Sequence, residues 1–91
     1  MAKKVIFLKR FTKEYESMIR RGKDITKLKQ AVFLLEMEEV LPPKYKDHKL
    51  IGDYLGSREL HIEADWLLIY QASKSELILE RTGTHADLFQ K

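Results

Sequence analysis

Three histidines, His48, His61 and His85, are the residues of this chain best suited to proton chemistry. An imidazole titrates near about pH 6.5, so it can both give and take a proton at neutral pH. None of the three stands in a plainly core pattern. His48 lies in a charged stretch with Lys46, Asp47 and Lys49. His61 falls on the polar face of an alternating segment, beside Glu59 and Glu63, and His85 sits in Thr84-His85-Ala86-Asp87, past the last such segment. A single histidine of this kind is more often a solvated surface residue. Three on one side of a small domain, with Glu63 and Asp65 nearby, form a candidate acid–base centre. Metal ligation is the competing use, but no tight His-x-x-x-His pair is present and there is no cysteine to supply thiolates. Neither a metal nor another cofactor is expected.

Cations and aromatics supply the remaining parts of such a centre. A scissile phosphodiester gains negative charge in its transition state, and an arginine fork offers it two parallel donors. Arg58 and Arg81 lie on strand candidates, and Lys46 lies beside His48; Arg81 could equally be a solvated strand end. Trp66 and Phe89 are the candidate base-stacking residues, since an aromatic ring against an unpaired base contributes roughly 1–3 kcal/mol. Trp66, in Asp65-Trp66-Leu67-Leu68, could instead be core.

The elements that must position these residues follow from local patterns. Lys3–Lys9 is a β-branched and aromatic run and reads as a strand. Thr12 can cap a first helix with Tyr15, Met18 and Ile19 on its apolar face, and Gly22 is its stop signal. Asp24 then caps a second helix whose Leu28, Ala31, Val32 and Leu35 follow the spacing of one buried face. Pro42-Pro43 blocks continuation past Leu41. Tyr45 to Gly56 reads as loop. Three strands follow: Ser57–Glu63, with Leu60 and Ile62 on one face; Trp66–Gln71, nearly all apolar; and Glu76–Arg81 after the turn Ser73-Lys74-Ser75. Gly83–Phe89 reads as a turn or one short helix. The order β-α-α-β-β-β predicts an α+β domain, with two helices packed on one face of a twisted, mostly antiparallel four-stranded sheet. The other face is expected to be free for chemistry.

The bulk numbers bound this reading. Ninety-one residues leave room for one domain, taken as 1–91. The apolar runs Val5–Leu8 and Trp66–Tyr70 are far too short to span a bilayer, and Lys3-Lys4 is followed by too few apolar residues for a signal peptide. A cytoplasmic protein without a membrane partner is expected. The net charge of +3 is unevenly spread: residues 1–30 hold ten Lys/Arg against three Asp/Glu, and the rest hold seven against eleven. Such asymmetry points to a polyanionic partner, although solvated helices would also produce it.

Four blocks of the C-terminal half carry a family resemblance. They are Tyr45-Lys46-Asp47-His48-Lys49-Leu50, Arg58-Glu59-Leu60-His61-Ile62, Asp65-Trp66-Leu67-Leu68-Ile69-Tyr70, and Glu80 to Phe89 with Arg81-Thr82-Gly83-Thr84-His85 inside it. In this order and spacing they resemble the YafQ branch of the RelE/ParE toxin superfamily over roughly residues 41–89; the N-terminal half agrees in pattern. The resemblance implies a small microbial-ribonuclease-like α+β fold. It also implies a type II toxin–antitoxin toxin that enters the ribosomal A site and cleaves mRNA under translation. The implied partners are an acidic antitoxin, the ribosome with its rRNA, and mRNA.

Carried over residue by residue, the resemblance places the family's catalytic and binding positions on His48, His61, Asp65, Trp66, His85 and Phe89, with Arg81 facing the phosphate. Glu59 stands where a close relative carries aspartate. The expected reaction is 2′-hydroxyl attack on the adjacent phosphate, with His85 as general acid and His48 or His61, oriented by Asp65, as base. Lys46 and Arg81 would stabilise the phosphorane. The rival readings are a non-catalytic ParE-like toxin that poisons a protein target, and a plain RNA-binding module. The basic helices could grip rRNA or receive the antitoxin.

Overall fold

Burial of alternate residues in strands and of one stripe in each helix organises the chain around a single sheet. The structure, a computed structural model, describes residues 2–89. Its elements are β1 (Lys4–Phe7), α1 (Lys9–Arg20), α2 (Ile25–Glu36), β2 (His48–Lys49), β3 (Arg58–Glu63), β4 (Trp66–Ala72), β5 (Glu76–Gly83) and α3 (His85–Phe89). The sheet order is β1-β5-β4-β3-β2; β1 runs parallel to β5 and the other pairs are antiparallel. The expected α+β architecture is therefore present, with five strands instead of four. The added strand is β2, two residues paired with Arg58 and Glu59 inside the expected loop. So short a strand has no periodicity to betray it.

The helices follow their local rules with one correction. Asp24 caps α2 by accepting the Thr26 N–H at 3.1 Å. Leu28 and Ala31 are buried, with Val32 and Leu35 packed against the same core. Gly22, at φ 80°, closes α1: its N–H reaches the Ile19 carbonyl, and that of Lys23 reaches Met18, both at 3.0 Å. Thr12 is not the cap of α1. The helix begins a turn earlier, because Phe11 belongs to its buried face, and the Thr12 hydroxyl instead donates back to the Leu8 carbonyl at 3.3 Å.

The helices cover one sheet face, where Leu60, Leu68, Leu77 and Leu79 are fully buried. Each contributes roughly 1.5–3 kcal/mol by leaving water. The opposite face is not bare, as expected, but half covered. Leu67 and Ile69 pack under Leu88 of α3, with Leu50, Tyr54 and Phe89 around them.

Two irregularities reset the side-chain alternation. In β3–β4 the pairing jumps between His61 and Glu63; in β4–β5, Ile69 opposes Arg81 while Tyr70 opposes Leu79. After the second shift Thr82 opposes Leu68 on the helix side, and there its hydroxyl meets the indole of Trp66. The indole N–H donates to Thr82 Oγ1 at 2.9 Å, and that hydroxyl donates to the Leu67 carbonyl at 2.8 Å. Trp66 is 0% exposed. The expectation that it stacks on RNA is corrected: the ring is sealed in the core.

Gly83 lets α3 lie close on β5, since a Cβ at that position would sit 2.9 Å from Asp87 Cβ. We expect Gly83→Ala to displace α3 and cost about 1–3 kcal/mol, the range of an overpacked contact. Urea unfolding measures this, and an unchanged midpoint with unchanged cleavage would contradict it.

Candidate active site

The uncovered part of the sheet carries the histidines as a row. The rings of His48 and His61 lie 6.2 Å apart between centroids and those of His61 and His85 5.8 Å apart, each pair tilted by under 40°. Three elements build the row: β2 presents His48, β3 presents His61, and the start of α3 presents His85. The short β2 is what brings His48 opposite Glu59.

Each ring has its own anchor. Lys46, in the left-handed region at φ 47°, turns the chain so that its carbonyl lies 2.8 Å from His48 Nδ1. His85 is fixed twice by Asp65, whose Oδ1 accepts the His85 backbone N–H at 2.9 Å and lies 2.5 Å from ring Nδ1. The carboxylate facing the other two rings is Glu59. Its Oε1 stands 3.6 Å from Nε2 of both His48 and His61. Glu59 is 5% exposed although it stands on what reads as a polar strand face. Its role is invisible in the sequence; the one available signal was its place in the same alternation as His61. The expectation that Asp65 orients His48 or His61 is corrected by this geometry, since Asp65 serves His85.

Electrostatics separate the rings. Burial pushes the His61 pKa below its ordinary value, and the positive charges of His85, Lys46 and His48 add to this against the opposing pull of Glu59. Its buried Nδ1 has no hydrogen-bond partner, so the charged ring, with N–H on both nitrogens, would hold one of them without an acceptor. His61 is accordingly neutral at pH 7. Asp65 is held below the usual carboxylate range, first by the backbone N–H of His85 and then by its ring. With Nδ1 directed at Asp65, the His85 Nε2 atom is left to act outward.

The depressed His61 pKa also predicts a pH dependence of stability. Just below about pH 6.5 the unfolded chain binds a proton that the folded ring resists. The contribution is therefore complete above about pH 6.5 and is lost as the pH falls through the interval down to the folded value. Unfolding of wild type and His61→Gln at pH 7.5 and 5.5 measures it. The wild type should lose more stability on acidification, and equal losses would contradict the assignment.

The remaining expected site residues divide. Lys46 stands close enough to oppose protonation of His61. Phe89 is half buried, edge-on to Tyr54 with centroids 5.8 Å apart, beside the row rather than in it. Arg58 is corrected. It shares its strand face with the core residues Leu60 and Ile62, and its Nη2 is paired at 2.7 Å with Asp47, which also accepts the Tyr70 hydroxyl. Arg81 is corrected too: it is 8% exposed and its fork is already occupied by the Glu14 carboxylate, with Nη2 at 2.5 Å and Nε at 3.1 Å. As placed, it offers no free fork to a phosphate. Glu14 and Tyr54 are the residues that sequence reasoning missed, and Glu59 entered it only as a strand neighbour of His61 and a departure from the family pattern.

One donor atom each of Glu59, His61 and His85 lies within 4.8 Å of the others, so among the described residues this trio could also hold a metal ion. Among those residues no helix is long and apolar enough to cross a membrane.

This fold, with an imidazole row on the open part of its sheet, is shared with a family of small bacterial toxins. A family model described as the bacterial toxin of type II toxin–antitoxin system, YafQ, matches residues 3–90, and the chain belongs to that family. The mRNA interferase toxin YafQ of Escherichia coli K12 is 45% identical over 80 residues, 87% of each chain. The crystal structure of YafQ from E. coli BL21(DE3) is similar with a TM-score of 0.92 at 40% identity, covering 96% of this chain and 98% of that one. A chain of the E. coli DinJ–YafQ toxin–antitoxin complex is similar with a TM-score of 0.90 at 40% identity, covering 98% and 99%. The curated name of the K12 relative denotes an endoribonuclease.

Proposed function

We propose that the chain is the endoribonuclease toxin of a type II toxin–antitoxin pair, cutting mRNA in the ribosomal A site by histidine acid–base chemistry. The observation that carries this reading is the convergence of Glu59, His61 and His85 within 4.8 Å, enough to surround one phosphate. The neutral His61 takes the 2′-hydroxyl proton as the 2′-oxygen bonds to phosphorus, and Glu59 balances the imidazolium charge that forms. His85, oriented through Nδ1 by Asp65, gives a proton from Nε2 to the 5′-oxygen as the P–O5′ bond breaks. The products are a 5′-hydroxyl and a 2′,3′-cyclic phosphate, which water opens to the 3′-phosphate. Lys46 supplies positive charge near the phosphorane, and Phe89 flanks the row where a base can lie. His48 extends the row along the phosphate path.

Acid–base groups account for about 10²–10⁴-fold, so alignment of the attacking oxygen must provide much of the rest. In this reading the ribosome is the aligning partner. The basic surplus of residues 1–30 suits both rRNA and an acidic antitoxin.

The test is a reconstituted translation reaction with fragment ends mapped. Cleavage at codon positions in translated mRNA, with naked RNA nearly untouched and EDTA without effect, is expected. Equal cleavage of naked RNA would remove the ribosome from the reading, and loss in EDTA restored by zinc would favour a metal. Intact mRNA with DNA damage in intoxicated cells would select the ParE-like alternative.

A further inference from the structure

One face of α1, which the proposed chemistry does not use, is tied to α3 at two points. Glu14, Ser17, Met18 and Arg21 follow the spacing of a single helical face. At one end Glu14 holds Arg81 bidentately, and Nη1 of the same guanidinium donates to Tyr54 Oη at 2.9 Å and to the Leu88 carbonyl of α3 at 3.4 Å. The Glu14 carboxylate also accepts the Thr82 N–H of β5 at 3.3 Å. At the other end Arg21 Nη1 lies 2.8 Å from Asp87 Oδ2 in α3, and that oxygen also accepts the Thr84 N–H at 2.9 Å.

These contacts lie on either side of the segment that carries His85. α3 has five residues, too few to hold its own geometry, and the tight approach at Gly83 leaves it no slack against β5. We infer that α1 clamps the His85-bearing segment through Glu14–Arg81 and Arg21–Asp87, making Glu14 and Arg21 positioning residues for cleavage. The inference rests on the proposed role of His85. Arg81 is then a strut between α1, the Tyr54 loop and α3.

The experiment compares wild type with Glu14→Gln, Arg21→Gln and Arg21→Lys, by two independent readouts. The first, taken without RNA, is the downfield ring-proton NMR signal of His85 bonded to Asp65, with amide exchange over residues 84–88. The second is kcat and KM for cleavage. Glu14→Gln and Arg21→Gln should broaden the His85 signal and speed exchange. They should also lower kcat by about tenfold to a hundredfold with KM little changed, as misplacement of a reacting group does. Arg21→Lys, which keeps the charge, should restore most of both. Should Glu14→Gln fail to fold, Arg21→Gln at the surface decides alone. Unchanged signal, exchange and kcat in the folded variants overturn the clamp. A rise in KM alone overturns it as well, because Arg21 would then be only an RNA contact. If wild type cleaves no RNA, the proposed function falls, while the clamp is still judged on the His85 signal.

Discussion

Replacing His85 by alanine is expected to slow mRNA cleavage by about 10²–10⁴-fold, the range for loss of one acid–base group, while leaving the domain folded. His85 is the ring whose orientation the structure fixes, with Asp65 2.5 Å from Nδ1 and Nε2 left to act outward. Its side chain is 45% exposed, so no core packing is lost with it. α3 keeps Leu88 in the second core and the Arg21–Asp87 pair at its side. The loss should therefore fall on kcat, with an unchanged far-UV spectrum and unfolding midpoint. Cleavage at the wild-type rate by a folded His85→Ala protein would remove the general acid. Growth inhibition that persists in that variant would point to a protein target. His85→Gln separates two parts of the role, since its amide can still reach Asp65 but cannot supply the proton; it should be as slow as alanine.

Trp66→Ala should produce the largest effect on stability, about 3–5 kcal/mol, as expected for deleting a buried indole and leaving a cavity. Domains of this size hold roughly 5–15 kcal/mol in total, so the variant should be partly or wholly unfolded at 37 °C. Two contributions add. The ring is fully buried among the residues that join helices to sheet, and its N–H is the donor to Thr82 Oγ1. Trp66→Phe keeps most of the packing and loses the hydrogen bond, for a cost nearer 1–2 kcal/mol, and should cleave normally once folded. A base-stacking tryptophan would behave differently: Trp66→Ala would keep its stability and raise KM. Denaturant midpoints beside KM for the two variants distinguish these outcomes.

Much of the fold was legible because its signals are local. The capping of α2 by Asp24, the Leu28-Ala31-Val32-Leu35 stripe and the alternation through Leu60 and Ile62 all depend on neighbours within a few residues, and the structure keeps each of them. β2 was not legible, because two residues define no period and their pairing partners lie eleven and nine residues away. The candidate site was legible as a set of residue types but not as a set of partners. Arg58 lies one position from Glu59 and so faces the core side, where Asp47 claims it. Arg81 lies where the pairing shift in β4–β5 reassigns the faces, and beyond that shift Thr82 meets the indole of Trp66. Glu14 reaches Arg81 across 67 residues of chain, a contact no local pattern encodes.

Local patterns specified the longer elements, their order and the supply of imidazoles, since backbone preference and apolar periodicity act over one or two turns. Long-range packing assigned which carboxylate attends which ring, which arginines are already engaged, and which aromatic is sealed from water. Those outcomes depend on where two pairing irregularities and one tight approach at Gly83 place side chains that are distant in the chain. A single-residue change in register exchanges the two faces of a strand.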